Sequence, residues 1–162
     1  MMGSIDLDQS DPAFVGELAK QPGGEMISAC FTCRTCVASC PISAVNKAFN
    51  PTRIIRMALY GLKKEILQSD FIWLCSSCYA CQERCPQGVS ITDFMTVLKN
   101  MAIREGHAPA GIRAQLKLVK GDGRIYPIDD FDNKKRAKAG LPELPTACES
   151  IHELFELAVA GH

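Results

Sequence analysis

Apolar residues return at the helical period in several stretches of this chain, and nowhere do they alternate convincingly enough for a strand. The clearest stretch follows Asn50, which suits a helix cap, and Pro51, which suits a first helical position. From there Ile54, Ile55, Ala58, Leu59, Leu62 and Ile66 mark one continuous apolar face of about four turns. A second helix is predicted after Ser90-x-x-Asp93, which resembles a capping box. Its apolar face is Ile91, Phe94, Met95, Leu98, Met101 and Ala102, and Gly106 is its stop. Shorter helices are expected from Asp11-Pro12 to Lys20, ahead of Gly23 and Gly24, and after Pro109 through Ile112, Leu116 and Val119, ended by Gly121-Asp122-Gly123. The stretch from Gly121 to Phe131 reads as a loop. Asp132 to Ala139 reads as a basic helix stopped by Gly140, and Thr146-x-x-Glu149 opens a last helix with Ile151, Leu154, Phe155 and Ala158 inward. The predicted fold class is all-α, with the chemistry carried on loops between helices.

That chemistry lies in a repeat. CFTCRTCVASCP, beginning at Cys30, overlays CSSCYACQERCP, beginning at Cys75, at an offset of 45 residues. Eight of the nine cysteines thus fall into two copies of C-x2-C-x2-C-x3-C-P. Three thiolates at i, i+3 and i+6 wrap three corners of an iron-sulfur cubane, and the fourth ligand comes from elsewhere. In two-cluster ferredoxins the cysteine before the proline serves the other cluster. The spacing therefore predicts two 4Fe-4S clusters, one on Cys30, Cys33, Cys36 and Cys85, the other on Cys75, Cys78, Cys81 and Cys40. The rival is a local scheme in which each motif supplies all four of its own ligands. Zinc also takes four thiolates, but its sites usually combine two separated C-x2-C pairs rather than a duplicated run of four cysteines ending in proline. Pro41 and Pro86 end the short helical turn without leaving an N–H unsatisfied. Phe31, Val37, Ile42, Leu74, Tyr79 and Val89 are apolar neighbours able to exclude water and tune potential.

The remaining composition narrows the partners. A chain of 162 residues is long enough for its own core, and 18 Lys and Arg against 18 Asp and Glu leave no basic surplus for nucleic acid. MMGSIDLDQSDP at the start carries acidic groups and no apolar run, so no secretory signal is expected, and no stretch approaches ~20 apolar residues. A soluble, cytoplasmic protein is expected, in surroundings where clustered cysteines ligate metal rather than pair as disulfides. Cys148 stands apart as a free thiol, and His107, His152 and His162 have no metal-binding spacing. No dinucleotide fingerprint, phosphate loop or nucleophile motif is present, so the chain reads as an electron wire with no catalytic site of its own. Lys47, Arg53, Arg56, Lys63 and Lys64, against a lone Glu65, form a basic surface that either docks an acidic partner or is simply solvated.

With these motifs, the segments NPTRIIRMALYGLKKEIL, WLCSSCYACQERCPQGVSITD and GLPELP carry a family resemblance: the chain resembles the C subunit of heterodisulfide reductase from about Glu25 to the final helix. The resemblance implies a helical ferredoxin domain, related to the iron-sulfur domains of succinate dehydrogenase and fumarate reductase. It implies a dicluster core over residues 25–108, flanked by helical extensions at 1–24 and 109–162. It also implies relay of electrons between two partners of a hetero-oligomeric complex, from the flavin- and cluster-bearing A subunit to the disulfide-reducing B subunit. The family's first motif commonly has glycine after its second cysteine, where this chain has Arg34. A stand-alone dicluster ferredoxin, or the iron-sulfur subunit of another dehydrogenase, is the alternative; neutral charge and long helical flanks weigh against the former.

Overall fold

A computed structural model describes residues 10–160 of the chain, with side chains through residue 157. Among the described residues there are ten α-helices, two short 3-10 turns and no strand. The chain divides into two compact units, Met1–His107 and Ala108–His162.

The first unit is built around two helices whose apolar faces meet one core. In α4 (Pro51–Leu59) the Asn50 side chain accepts from Arg53 N–H at 3.0 Å and Pro51 takes the first position, as the sequence predicts. The predicted four-turn helix does not continue: it stops at Leu59 and resumes as α5 (Lys63–Leu67). Gly61 makes the break. Its φ is +71°, and a β-carbon there would collide with the Asp11 carbonyl; Asp11 N–H in turn donates to Gly61 C=O at 2.7 Å. The apolar period runs on across the break because Leu62 and Ile66 re-enter the same core.

Helix α7 (Ile91–Arg104) buries all six residues of its predicted face and ends just before Gly106. Helix α1 (Phe14–Ala19) starts later than expected, because the Asp11 carboxylate accepts from Ala13 N–H and makes a turn first; Phe14 and Leu18 then insert fully into the core. Lys63 clamps these elements, its Nζ lying 2.9 Å from Glu17 on α1 and 3.2 Å from Glu105 after α7. The hydrogen bond to Glu17 is the main reason its pKa is raised.

The second unit contains α8 (Ala110–Asp122), α9 (Asp130–Lys138) and α10 (Glu149–Ala160). Gly123, with φ +64°, ends α8 where the chain passes against the Cys148 carbonyl and Cβ. Helix α9 begins two residues earlier than predicted because Asp129 caps it, its carboxylate accepting from Asp132 N–H at 2.9 Å. The Asn133 amide holds Leu144 of the GLPELP segment through both its backbone N–H and C=O, at 3.0 and 2.9 Å. Helix α10 packs on α8, with Cys148 C=O accepting its first amides and His152 bonded to Gly121 C=O at 2.7 Å. Ile151 and Phe155 are half-buried, whereas Leu154, expected inward, is exposed: two paired helices cover only a narrow seam. Ala158, also expected inward, and His162 lie outside the residues whose side chains are described, as do residues 1–9.

Candidate metal centres

The two cysteine motifs fold alike. Each follows a 3-10 turn, Ile27–Ala29 or Phe71–Leu74, after which Cys30 or Cys75 is extended. The third cysteine then sits on a one-turn helix, Cys36 on α2 (Thr35–Ala38) and Cys81 on α6 (Ala80–Glu83), and these helices pack on one another. Around the second cysteine the backbone is left-handed on both sides, with φ of +66° at Thr32 and Arg34 and of +53° and +62° at Ser77 and Tyr79. They are the only non-glycine residues with positive φ among those described. Such turns curl the chain into concavities whose N–H groups suit an anionic group. Cys40 caps α3 (Pro41–Val45), its sulfur accepting from Ser43 N–H at 3.4 Å, so Pro41 both stops one helix and opens the next.

Two small cavities lie between the motifs. One is lined by Cys75, Cys78 and Cys81 together with Cys40, the other by Cys30, Cys33 and Cys36 together with Cys85. Each therefore combines three thiols of one motif with the proline-adjacent thiol of the other. Ile91, 2% exposed, lines both, so a single side chain forms their shared wall. Phe31 and Val89 line the Cys30 cavity, and Ile42 and Tyr79 line the Cys75 cavity. Val37 and Leu74, grouped with them from sequence, line neither: Val37 packs on the core and Leu74 is exposed. Among the described residues no three His, Cys, Asp or Glu side chains converge on one ion, whereas four thiols surround each cavity. That spacing fits a polynuclear cluster, whose corners are held separately, better than a single zinc.

Burial and hydroxyl neighbours set the thiols apart. Cys36 and Cys81 are buried, which pushes both thiols up in pKa, against a smaller opposing pull from Thr52 and Thr92. Thr52 Oγ1 lies 3.1 Å from Cys36 Sγ, and Thr92 Oγ1 lies 3.5 Å from Cys81 Sγ. Exposed Cys33 is lowered instead, chiefly by its hydrogen bond with the Thr35 side chain at 3.3 Å. Lys99 Nζ donates to Cys75 C=O at 3.0 Å, bringing a cation to the backbone of the second motif. Cys148 is a free thiol in the other unit.

The expected Ser90-Asp93 capping box is absent. Ser90 makes no side-chain cap bond; the Gln82 side-chain oxygen Oε1 accepts instead from Thr92 N–H at 3.1 Å and Asp93 N–H at 3.4 Å. Asp93 is engaged by Gln82 Nε2 at 3.0 Å and Tyr79 OH at 3.4 Å. Sequence reading missed Gln82, Thr52 and Thr92. The threonines did leave a signal, since Asn50-Pro51-Thr52 and Ser90-Ile91-Thr92 each place threonine second in the helix after a motif.

Of the basic surface read from sequence, Lys63 is committed to Glu17 and Glu105, and Arg56 to the Thr32 hydroxyl at 3.2 Å and to Tyr60.

Residues 26–89 match the family model described as a 4Fe-4S dicluster domain. Over 154 residues the chain is 36% identical to the C subunit of the H(2):CoB-CoM heterodisulfide,ferredoxin reductase of Methanothermobacter thermautotrophicus, covering 95% of this chain and 80% of that one. It is 37% identical over 140 residues to the C subunit of the ferredoxin:CoB-CoM heterodisulfide reductase of Methanosarcina mazei, covering 86% and 85% of the two chains. It is also 37% identical over 164 residues to the iron-sulfur C 2 subunit of the CoB--CoM heterodisulfide reductase of Methanocaldococcus jannaschii, covering 96% and 87%. No described helix is long and apolar enough to cross a membrane.

Proposed function

This chain belongs to the family of heterodisulfide reductase C subunits, and we propose that it relays electrons through two crossed 4Fe-4S clusters between the flavin- and cluster-bearing A subunit and the disulfide-reducing B subunit of such a complex. The observation that carries the crossed arrangement is the lining of the two cavities, Cys40 with Cys75, Cys78 and Cys81, and Cys85 with Cys30, Cys33 and Cys36. A 4Fe-4S cluster, when bound, stores and passes one electron at a time. The protein's part is to hold two such groups apart by one buried isoleucine, exclude water from them and set their potentials. A reducing, cytoplasmic setting keeps the eight thiols available as ligands. Both partners are inferred from the relatives, which are themselves subunits of larger reductases.

The test of the crossed ligation is a pair of variants in anaerobically purified chain, where the unsubstituted protein holds about eight iron and eight sulfide. Cys40→Ala is expected to damage the cluster held by Cys75, Cys78 and Cys81, leaving a labile or three-iron centre, while sparing the other. Cys85→Ala does the converse. Damage confined to the variant's own motif would replace crossed by local ligation. The relay itself is tested by recovering the native complex: flavin-bearing and disulfide-reducing subunits should accompany the chain, and the chain alone should show no disulfide reductase turnover with a chemical donor.

A further inference from the structure

Two buried hydroxyls occupy equivalent places beside the clusters' thiols, and nothing in the cysteine spacing requires them. Thr52 is 7% exposed and Thr92 1%, yet each hydroxyl has the sulfur of its neighbouring cysteine as partner. Their placement repeats with the motif. Helix α2 packs on α4 as α6 packs on α7, and in both cases the second residue of the longer helix meets the third cysteine of the motif. Helix starts could satisfy such positions with any residue; a buried hydroxyl without a strong partner would cost free energy there.

As a free thiol either atom of the pair can donate. A thiolate that ligates iron carries no hydrogen, so the threonine must then be the donor. An O–H directed at a ligand sulfur draws charge from it, and it does so more strongly when the cluster holds the extra electron. The bond therefore favours the reduced state, and burial keeps water from screening it. Thr35 beside Cys33 is a different case: Cys33 is exposed, and the equivalent place in the second motif is Ala80.

We propose that Thr52 and Thr92 are paired positioning donors that raise the potentials of the clusters bound by the first and second motif respectively. The proposal rests on the dicluster reading but not on crossed ligation, because Cys36 and Cys81 serve the cluster of their own motif in either scheme. The shorter contact, 3.1 Å against 3.5 Å, makes Thr52 the stronger of the two.

The test is anaerobic redox titration of the full chain, followed by electron paramagnetic resonance, for Thr52→Val, Thr92→Val and the two serine counterparts. Valine keeps the shape and removes the hydroxyl. Thr52→Val is expected to shift the midpoint of the first-motif cluster to more negative potential and leave the second unmoved. Thr92→Val shifts the second alone, by less, and both serine variants titrate as the unsubstituted chain does. Unmoved midpoints at full iron content, or equal shifts of both clusters in either variant, would overturn the proposal. If a valine variant loses iron, recovery of both iron and potential with serine supports the donor role, and failure of serine to restore them makes the threonine a packing residue and overturns it. An unsubstituted chain holding far fewer than eight iron fails the dicluster reading instead, which keeps the two failures distinct.

Discussion

Arg34 combines two properties that a substitution can separate. Its φ of +66° lies in the left-handed region, where a side chain costs about 1 kcal/mol relative to glycine, and it is a cationic residue among those that line the Cys30 cavity. A glycine at this place would be free of the first property. The second favours the reduced cluster, since a nearby cation stabilises the added negative charge. Arg34→Gly is therefore expected to raise the thermal midpoint of the protein and lower the potential of the first-motif cluster, while Arg34→Gln lowers the potential without the gain in stability. The potential shift should shrink as salt is raised, because Arg34 is exposed. Parallel calorimetry and redox titration at two ionic strengths check this; an upward shift in either variant refutes the charge argument. Tyr79 is the positional twin, with φ +62°, so the strain is shared by both motifs and the charge is not.

At the scale of elements, the long helix after each motif is fastened to the site at its first turn, by different means. Helix α4 carries its own cap in Asn50, whereas α7 borrows Gln82 from the helix that carries Cys81. Gln82→Ala should cost about 1 kcal/mol, the usual worth of a lost cap, and expose the Thr92 and Asp93 amides to faster hydrogen exchange while later α7 amides stay protected. Uniform exchange along α7 would mean that Gln82 supports the whole helix rather than its start. The borrowed cap also marks where sequence patterns stop informing. Periodicity and local signals identified the apolar faces of α4, α5 and α7 and the Asn50 cap, because those depend on neighbours within a few residues. The break at Gly61 depends on Asp11, fifty residues away, and the true cap of α7 on Gln82, so Ser90-x-x-Asp93 mimicked a box whose acidic member is engaged by Gln82 and Tyr79 instead. The cysteines were legible for the opposite reason. A group with corners constrains ligand spacing along the chain, whereas which loop wall or hydroxyl completes the site is a property of packing.

For the molecule as a whole, the distribution of ligands between the two units makes a further outcome testable. All eight motif cysteines, and every residue of the contiguous hydrophobic core, lie in Met1–His107. That unit contains the helices that hold the third cysteine of each motif, the helices that pack on them and the Lys63 clamp that ties α1, α5 and the end of α7. No fully buried side chain is contributed by α8 or α9, and the cysteine of the second unit, Cys148, serves instead to start α10 through its carbonyl. Cluster assembly should therefore be a property of the first unit alone. A chain ended after His107 is expected to assemble about eight iron per molecule and give the same cluster spectra as the full chain, and Cys148→Ser in the full chain should leave iron content unchanged. Iron and sulfide analysis with absorption spectroscopy decides it. A shortened chain that holds four iron or fewer would mean that residues after His107 are needed to build a site, since the ligands themselves are all retained. If the shortened chain carries both clusters, the second unit is left available for work other than ligation, and comparing what copurifies with the full and the shortened chain then measures whether that work is assembly with the partners proposed above.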